Sequence, residues 1–170
     1  METWDAIRAR RDVRQFADRP VPPADLDRIL DAGRRAPSSQ NTQPWDFVVV
    51  TERDRLAKLA TVWRGAGHVA GSAATVALVA PVPAEGRRGQ VMFDLGQAAM
   101  SLQIAAADLG VASGHSAVGD QELAREVLGF PEDRFCGYLI PLGYPADRPL
   151  RPIERPDRRA AADVVHRERW

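Results

Sequence analysis

Between Gln90 and Leu109 the chain carries Val91, Leu95, Ala98, Leu102, Ala105 and Leu109 at intervals of three and four. That spacing places all six on one face of a helix with 3.6 residues per turn, so a long buried helix is the element everything else must pack around. Its alanines allow close approach of a neighbouring helix or sheet. A plain core helix accounts for the whole pattern, and a dimer interface is a further role it could carry. Three apolar runs flank it: Trp45 to Val50, Thr75 to Val79 and Phe135 to Leu142. Each reads as a strand, and the uninterrupted first run reads as a buried one.

The shorter elements follow from punctuation. Thr3 can cap a helix through about Arg10, with Trp4 and Ile7 on one face. Pro22 and Pro23 suit a helix start, Leu26, Ile29, Leu30 and Gly33 give its buried stripe, and Pro37 ends it. Glu52 to Trp63 reads as an amphipathic helix through Leu56, Leu59 and Trp63. Val111 to Val118 is a short Gly/Ser-containing candidate strand. Asp120 can cap a helix to Leu128, stopped by Gly129 and Pro131. Prolines at 145, 149, 152 and 156 then forbid a helix and favour an extended arm. At about 3.1 Å per residue such an arm reaches roughly 30 Å, far enough to cross to a second subunit. Val164, Val165 and Trp170 at its end favour a docked arm over a disordered tail. Helices alternating with strands, then an arm, predict an α+β or α/β sandwich; periodicity goes no further.

The 170 residues suit one domain, 1–170, with an arm from about 146 to 170. The 23 basic and 23 acidic residues cancel, so net charge supplies no pull toward nucleic acid or membrane. The single cysteine, Cys136, sits in an apolar run and reads as a small core residue. The N-terminus has no apolar segment of the kind a targeting peptide needs, and Ala73 to Val82 is too short to cross a bilayer as a helix. These features predict a soluble, cytoplasmic protein.

Two clusters could carry chemistry. Arg10, Arg11 and Arg14 lie within five residues. In an extended chain Arg10 and Arg14 share a face with Asp12 between them, and guanidinium groups suit a phosphorylated ligand. The same residues also read as a solvated basic turn neutralised by Asp5 and Asp12. Ser38, Ser39, Asn41 and Gln43 offer donors and acceptors in a loop that also suits a simple helix stop. His68, His115 and His166 are far apart in sequence and lack metal-ligand spacing. The run Gly65 to Gly71 misses the dinucleotide fingerprint by one residue and precedes a strand. No nucleophile elbow or phosphate-binding Lys-Ser/Thr loop is present.

Taken together, Arg10-Arg11-Asp12-Val13-Arg14-Gln15-Phe16, Pro37-Ser38-Ser39-Gln40-Asn41-Thr42-Gln43-Pro44-Trp45 and Gly143-Tyr144-Pro145-Ala146 resemble the signatures of the FMN-dependent nitroreductase family. The resemblance runs from Arg10 to Trp170. It implies a sandwich with a central, mostly antiparallel sheet flanked by helices, and an extended C-terminal arm wrapped around the partner of a homodimer. It implies that Arg10, Arg11, Asp12 and Arg14 lie at the flavin phosphate and ribityl chain, and that Pro37, Ser38, Ser39 and Asn41 line the flavin, often from the partner subunit. Gly114, His115 and Ser116 fall where backbone groups approach the ring, and Arg158, then Arg159, where a basic residue completes the phosphate site. NADH or NADPH would be the electron donor and a quinone or nitroaromatic the acceptor, with no acid–base side chain required. Asp12 departs from the family's usual Ser, and the Arg-Asp-Val-Arg form also resembles the flavin-cleaving 5,6-dimethylbenzimidazole synthases, which usually lack the Ser-x-Asn loop. Flavin storage without turnover is the third expectation.

Overall fold

The computed structural model describes residues 1–170. One sheet runs through it, ordered β1 (Asp46–Val50), β2 (Ala74–Pro81), β5 (Arg134–Gly143), β3 (Ala112–Ser113), with β4 (Ser116–Ala117) also paired to β5. Every pairing is antiparallel. Residues of β2 alternate between the two faces. Val76, Leu78 and Ala80 enter one core with α2 (Pro23–Arg34) and α4 (Arg88–Asp108). Ala77 and Val79 enter the other with α3 (Arg53–Leu59) and α5 (Gln121–Leu128). The long helix is thus one layer of a three-layer sandwich, as its periodicity requires.

On β5 the alternation breaks once. Leu78 faces Tyr138 but Val79 faces Cys136, so Gly137 is an unpaired extra residue. Ile140 and Leu142 belong to the α4 core and Leu139 to the opposite one; beyond the bulge Phe135 joins the α4 core and Cys136 the other. A single extra residue exchanges the faces. A Cβ at Gly137 would meet Leu95 Cδ1 at 2.6 Å, which is why glycine occupies the bulge. Burial pushes the Cys136 thiol up to about 12, so it stays protonated, as a core residue should.

Several elements differ from their sequence expectation. The Trp45–Val50 run forms the edge strand β1, of which only Val50 is buried, because β1 pairs with β2 alone. Helix α1 (Thr3–Ala9) has Glu2, not Thr3, before its first turn, and no side-chain cap. Its buried face is Ala6 and Ala9, while Trp4 is 68% exposed and Ile7 is exposed too. Small side chains let α1 sit close against α4, and a Trp there would hold it off. Helix α3 stops at Leu59, short of Trp63. By contrast Asp120 caps α5 by accepting the Leu123 amide at 2.9 Å, and Gly129 closes it in the left-handed region.

The C-terminal arm is extended except for a 3-10 turn at Ala161–Asp163. It is tied to the N-terminal region by Ile153 N–H donating to the Arg8 carbonyl. Within one chain Val164, Val165 and Trp170 remain exposed, the last by 98%.

Helices α2 and α4 touch most closely at Gly33, where a Cβ would lie 2.7 Å from Leu102 Cδ2 and 2.8 Å from its Cγ. Adding a side chain there gains helix propensity of about 1 kcal/mol at most, while overpacking costs roughly 1–3 kcal/mol. Gly33→Val is therefore expected to lower unfolding free energy in urea by about 2 kcal/mol, with an unchanged m-value.

Candidate functional site

The basic segment is held as a strand-like extension of the sheet. Asp12 forms a parallel bridge with Ser113 on β3, and the Val13 amide donates to the Ser113 carbonyl at 3.0 Å. Farther on, the Ala17 amide donates to the Tyr144 carbonyl and the Ala146 amide to that of Gln15. Phe16 packs over Gly143. Alternation then separates the arginines. Arg10, Asp12 and Arg14 project to one side, while buried Val13 and Arg11 take the other.

On the first side Arg10 Nη1 donates to Asp12 Oδ1 at 3.0 Å, and the other Asp12 oxygen lies 3.5 Å from His115 Nδ1. Arg14 is exposed and enters no ion pair. Arg11 instead donates to the Asp147 carboxylate and the Arg148 carbonyl, each at 2.9 Å, and lines a cleft of about 480 Å³ with Arg148, Arg151 and Glu154. The Arg11 guanidinium holds the Asp147 carboxyl below the usual carboxylate range. Arg11 therefore fastens the start of the arm.

The segment Ser113–Ser116 brings backbone to the same place. The Gly114 amide donates to the Pro141 carbonyl at 3.0 Å and its carbonyl accepts Gln103 Nε2, so both polar groups are satisfied inside the chain. A Cβ on Gly114 would meet the Val13 carbonyl at 2.8 Å and His68 Nε2 at 3.1 Å. Glycine is required there by the protein's own packing. The His115 amide has no backbone acceptor and remains available. Ser116 is buried with its hydroxyl donating to the Ala117 carbonyl, which leaves only its main chain.

His68 is the neighbour that sequence reasoning passed over. Its Nε2 is buried without a hydrogen-bond partner, and it sits within electrostatic range of Arg14, Asp12 and His115. Histidines far apart in the chain thus converge, although no group of residues has metal-binding geometry. Nothing in the local sequence signals this, because the contact depends on the 3-10 turn at Gly67–Gly71 bringing His68 against Gly114.

The second cluster lies elsewhere. Pro37 follows α2 and is exposed. Ser38 Oγ accepts the Gln43 amide at 2.9 Å, and the Ser39 amide and hydroxyl donate to Asp94 Oδ1 at 3.1 and 3.3 Å. Gln40, Asn41 and Gln43 all have φ between 48° and 56°. A left-handed residue other than glycine costs on the order of 1 kcal/mol, least for Asn, so this loop stores strain. The third group, Arg158 and Arg159, is exposed in the arm and bonded only locally, to the carbonyls of Asp157 and Asp163. No hydrogen bond or ion pair joins these three groups within the chain.

No helix is long and apolar enough to cross a membrane. A model of the nitroreductase family matches residues 7–65 and 60–144. The chain is 32% identical over 175 residues to a protein of Archaeoglobus fulgidus provisionally named an NADH dehydrogenase/NAD(P)H nitroreductase, covering 99% of each. A protein of Methanothermobacter thermautotrophicus with the same provisional name is 32% identical over 175 residues, covering 100% of this chain and 88% of the relative. Among solved structures, an FMN-dependent nitroreductase of Clostridium difficile superposes with a TM-score of 0.85 at 23% identity, over 97% of this chain and 98% of that one; it shares the fold.

Burial, then the Arg14 charge, lowers the pKa of His68 below its ordinary 6.5. A depressed folded pKa means the unfolded chain takes up the proton first. The stabilisation is present above pH 6.5 and is lost as pH falls through the folded value. His68→Gln is accordingly expected to flatten the fall in unfolding free energy between pH 7 and 5, measured by urea titration. An unchanged slope would place His68 outside the acid response.

Proposed function

As the chain belongs to the nitroreductase family, we propose that it is an FMN-dependent oxidoreductase passing reducing equivalents from NADH or NADPH to a quinone, nitroaromatic or similar small acceptor. The observation that carries this reading is the bridge between Asp12 and Ser113, which sets the Arg10–Arg14 face beside the free amide of His115. When bound, FMN supplies a two-electron carrier able to accept hydride from a nicotinamide and deliver it onward.

The residues present fit that group. Arg14 has no competing carboxylate, and Arg10 shares only a partly exposed pair with Asp12. Such a pair is worth about 0–1 kcal/mol, whereas a charged hydrogen bond to phosphate contributes roughly 1.5–3 kcal/mol. Arg10 would therefore leave Asp12 for a bound phosphate, and Asp12 would keep His115 as a neighbour. Arg158 and Arg159 would complete the phosphate's surroundings from the arm.

The reading calls for a homodimer. The Ser38–Asn41 loop and the Arg10 face are separate in one chain, so a site using both needs two chains. Phe93 and Met100 on α4, Trp4 and Ile7 on α1, and Trp170 in the arm are exposed apolar side chains suited to a partner surface. Donor and acceptor would then occupy one shared cleft in turn, as in ping-pong kinetics. The Ser38-Ser39-x-Asn41 loop favours this activity over flavin cleavage.

Visible absorption of the gently purified protein, before and after anaerobic NADH or NADPH, tests the proposal. A yellow protein bleached by either donor is expected. One bleached by neither points to flavin storage or cleavage, and a colourless protein that ignores added FMN overturns the flavin reading. Arg10→Ala and Arg14→Ala are each expected to weaken FMN binding by roughly 1.5–3 kcal/mol in a fluorescence titration. Unchanged affinity in both removes the phosphate site.

A further inference from the structure

Asp94 is 1% exposed and lies on α4 beside residues of the α2–α4 core. The adjoining positions on this face, Leu95 and Ala98, are apolar and fully buried. A carboxylate in such surroundings is costly unless its oxygens are hydrogen-bonded, and an apolar side chain would pack there at least as well. Its presence therefore serves something other than core stability.

The hydrogen bonds show what it serves. Asp94 Oδ1 accepts the Ser39 amide at 3.1 Å, the Ser39 hydroxyl at 3.3 Å and Gln97 Nε2 at 3.4 Å. The remaining hydrogen bonds of the loop are internal: Asn41 N–H to the Ser38 carbonyl, Thr42 N–H and Oγ1 to that of Ser39, Gln43 N–H to Ser38 Oγ, and Gln43 Nε2 to the Asn41 carbonyl. Asp94 is thus the hydrogen-bonding anchor of Ser38–Gln43 outside the loop itself. The loop it holds has three non-glycine residues in the left-handed region, a conformation that persists only when the surroundings impose it.

We infer that Asp94 is a positioning residue, which fixes the strained Ser38–Gln43 loop in the conformation a flavin meets; the inference rests on the FMN reading above. The carboxylate touches neither flavin nor substrate in this role. It acts through Ser39, by holding the loop ordered before any ligand arrives, so that binding does not bear the ordering cost.

The test combines hydrogen exchange of the flavin-free full chain with FMN titration by fluorescence, in the wild type and in Asp94→Leu, Asp94→Asn and Ser39→Ala. In Asp94→Leu the Ser39–Gln43 amides are expected to exchange about tenfold faster and FMN affinity to fall about tenfold, with thermal stability maintained. Asp94→Asn keeps an acceptor oxygen and should stay within about threefold of wild type in both readouts. Ser39→Ala removes one donor and should shift both in the same direction by about threefold, which keeps the inference testable if Asp94→Leu does not fold. Unchanged loop exchange in Asp94→Leu overturns the inference, and so does faster exchange with unchanged FMN affinity. A wild-type chain that does not bind FMN overturns the underlying reading instead, and is seen before any variant is compared.

Discussion

The antiparallel ladder between β2 and β5 is the interaction on which the rest depends. Its residues divide the two cores between them, and its far edge offers β5 to β3 and β4. Ser113 is in place only because β3 pairs with Leu142 and Gly143. The basic segment hangs in turn from the Ser113 carbonyl, and is tied again at Tyr144 and Ala146 just past the end of β5. The candidate site is therefore assembled by main-chain hydrogen bonds, with side chains placed by the alternation those bonds impose. Loss of β5 would scatter residues as far apart in sequence as Arg10, His68 and His115.

How much was legible in the sequence follows from the range of the interactions involved. Helix α4, strands β2 and β5 and the capped α5 are written in local periodicity and punctuation, and their observed spans differ from the reading by a residue or two. The burial of β1 was not legible, because a Val run looks the same at a sheet's edge as at its centre. The face of α1 was misassigned for a related reason. Large apolar side chains signal burial only when the neighbour leaves room, and here α4 admits Ala6 and Ala9 instead.

The site was legible in pieces. That Arg10 and Arg14 share a face with Asp12 follows from extended geometry alone, and the same geometry sends Arg11 across to Asp147 and Arg148. The long-range part carried no signal: His68 reaches the cluster only through the tertiary fold. Asp94 did leave a trace. It stands three residues after Val91 and four before Ala98, a charge within an apolar face, and such a break in periodicity marks a buried polar contact to be accounted for.

The bulge at Gly137 divides β5 into two segments with opposite facing. Downstream of it the strand is in phase with the edge that holds Ser113; upstream it is in phase with the start of α4, where Arg88 lies over the Phe135 ring, and with the Asp46–Arg134 pair. Were Gly137 to pair as an ordinary residue, the unbroken alternation would carry the Phe135 ring into the α3–α5 layer and the Cys136 thiol beneath α4. The irregularity thus works as a phase shifter. It lets one continuous strand match two layers whose side-chain volumes were set independently of each other.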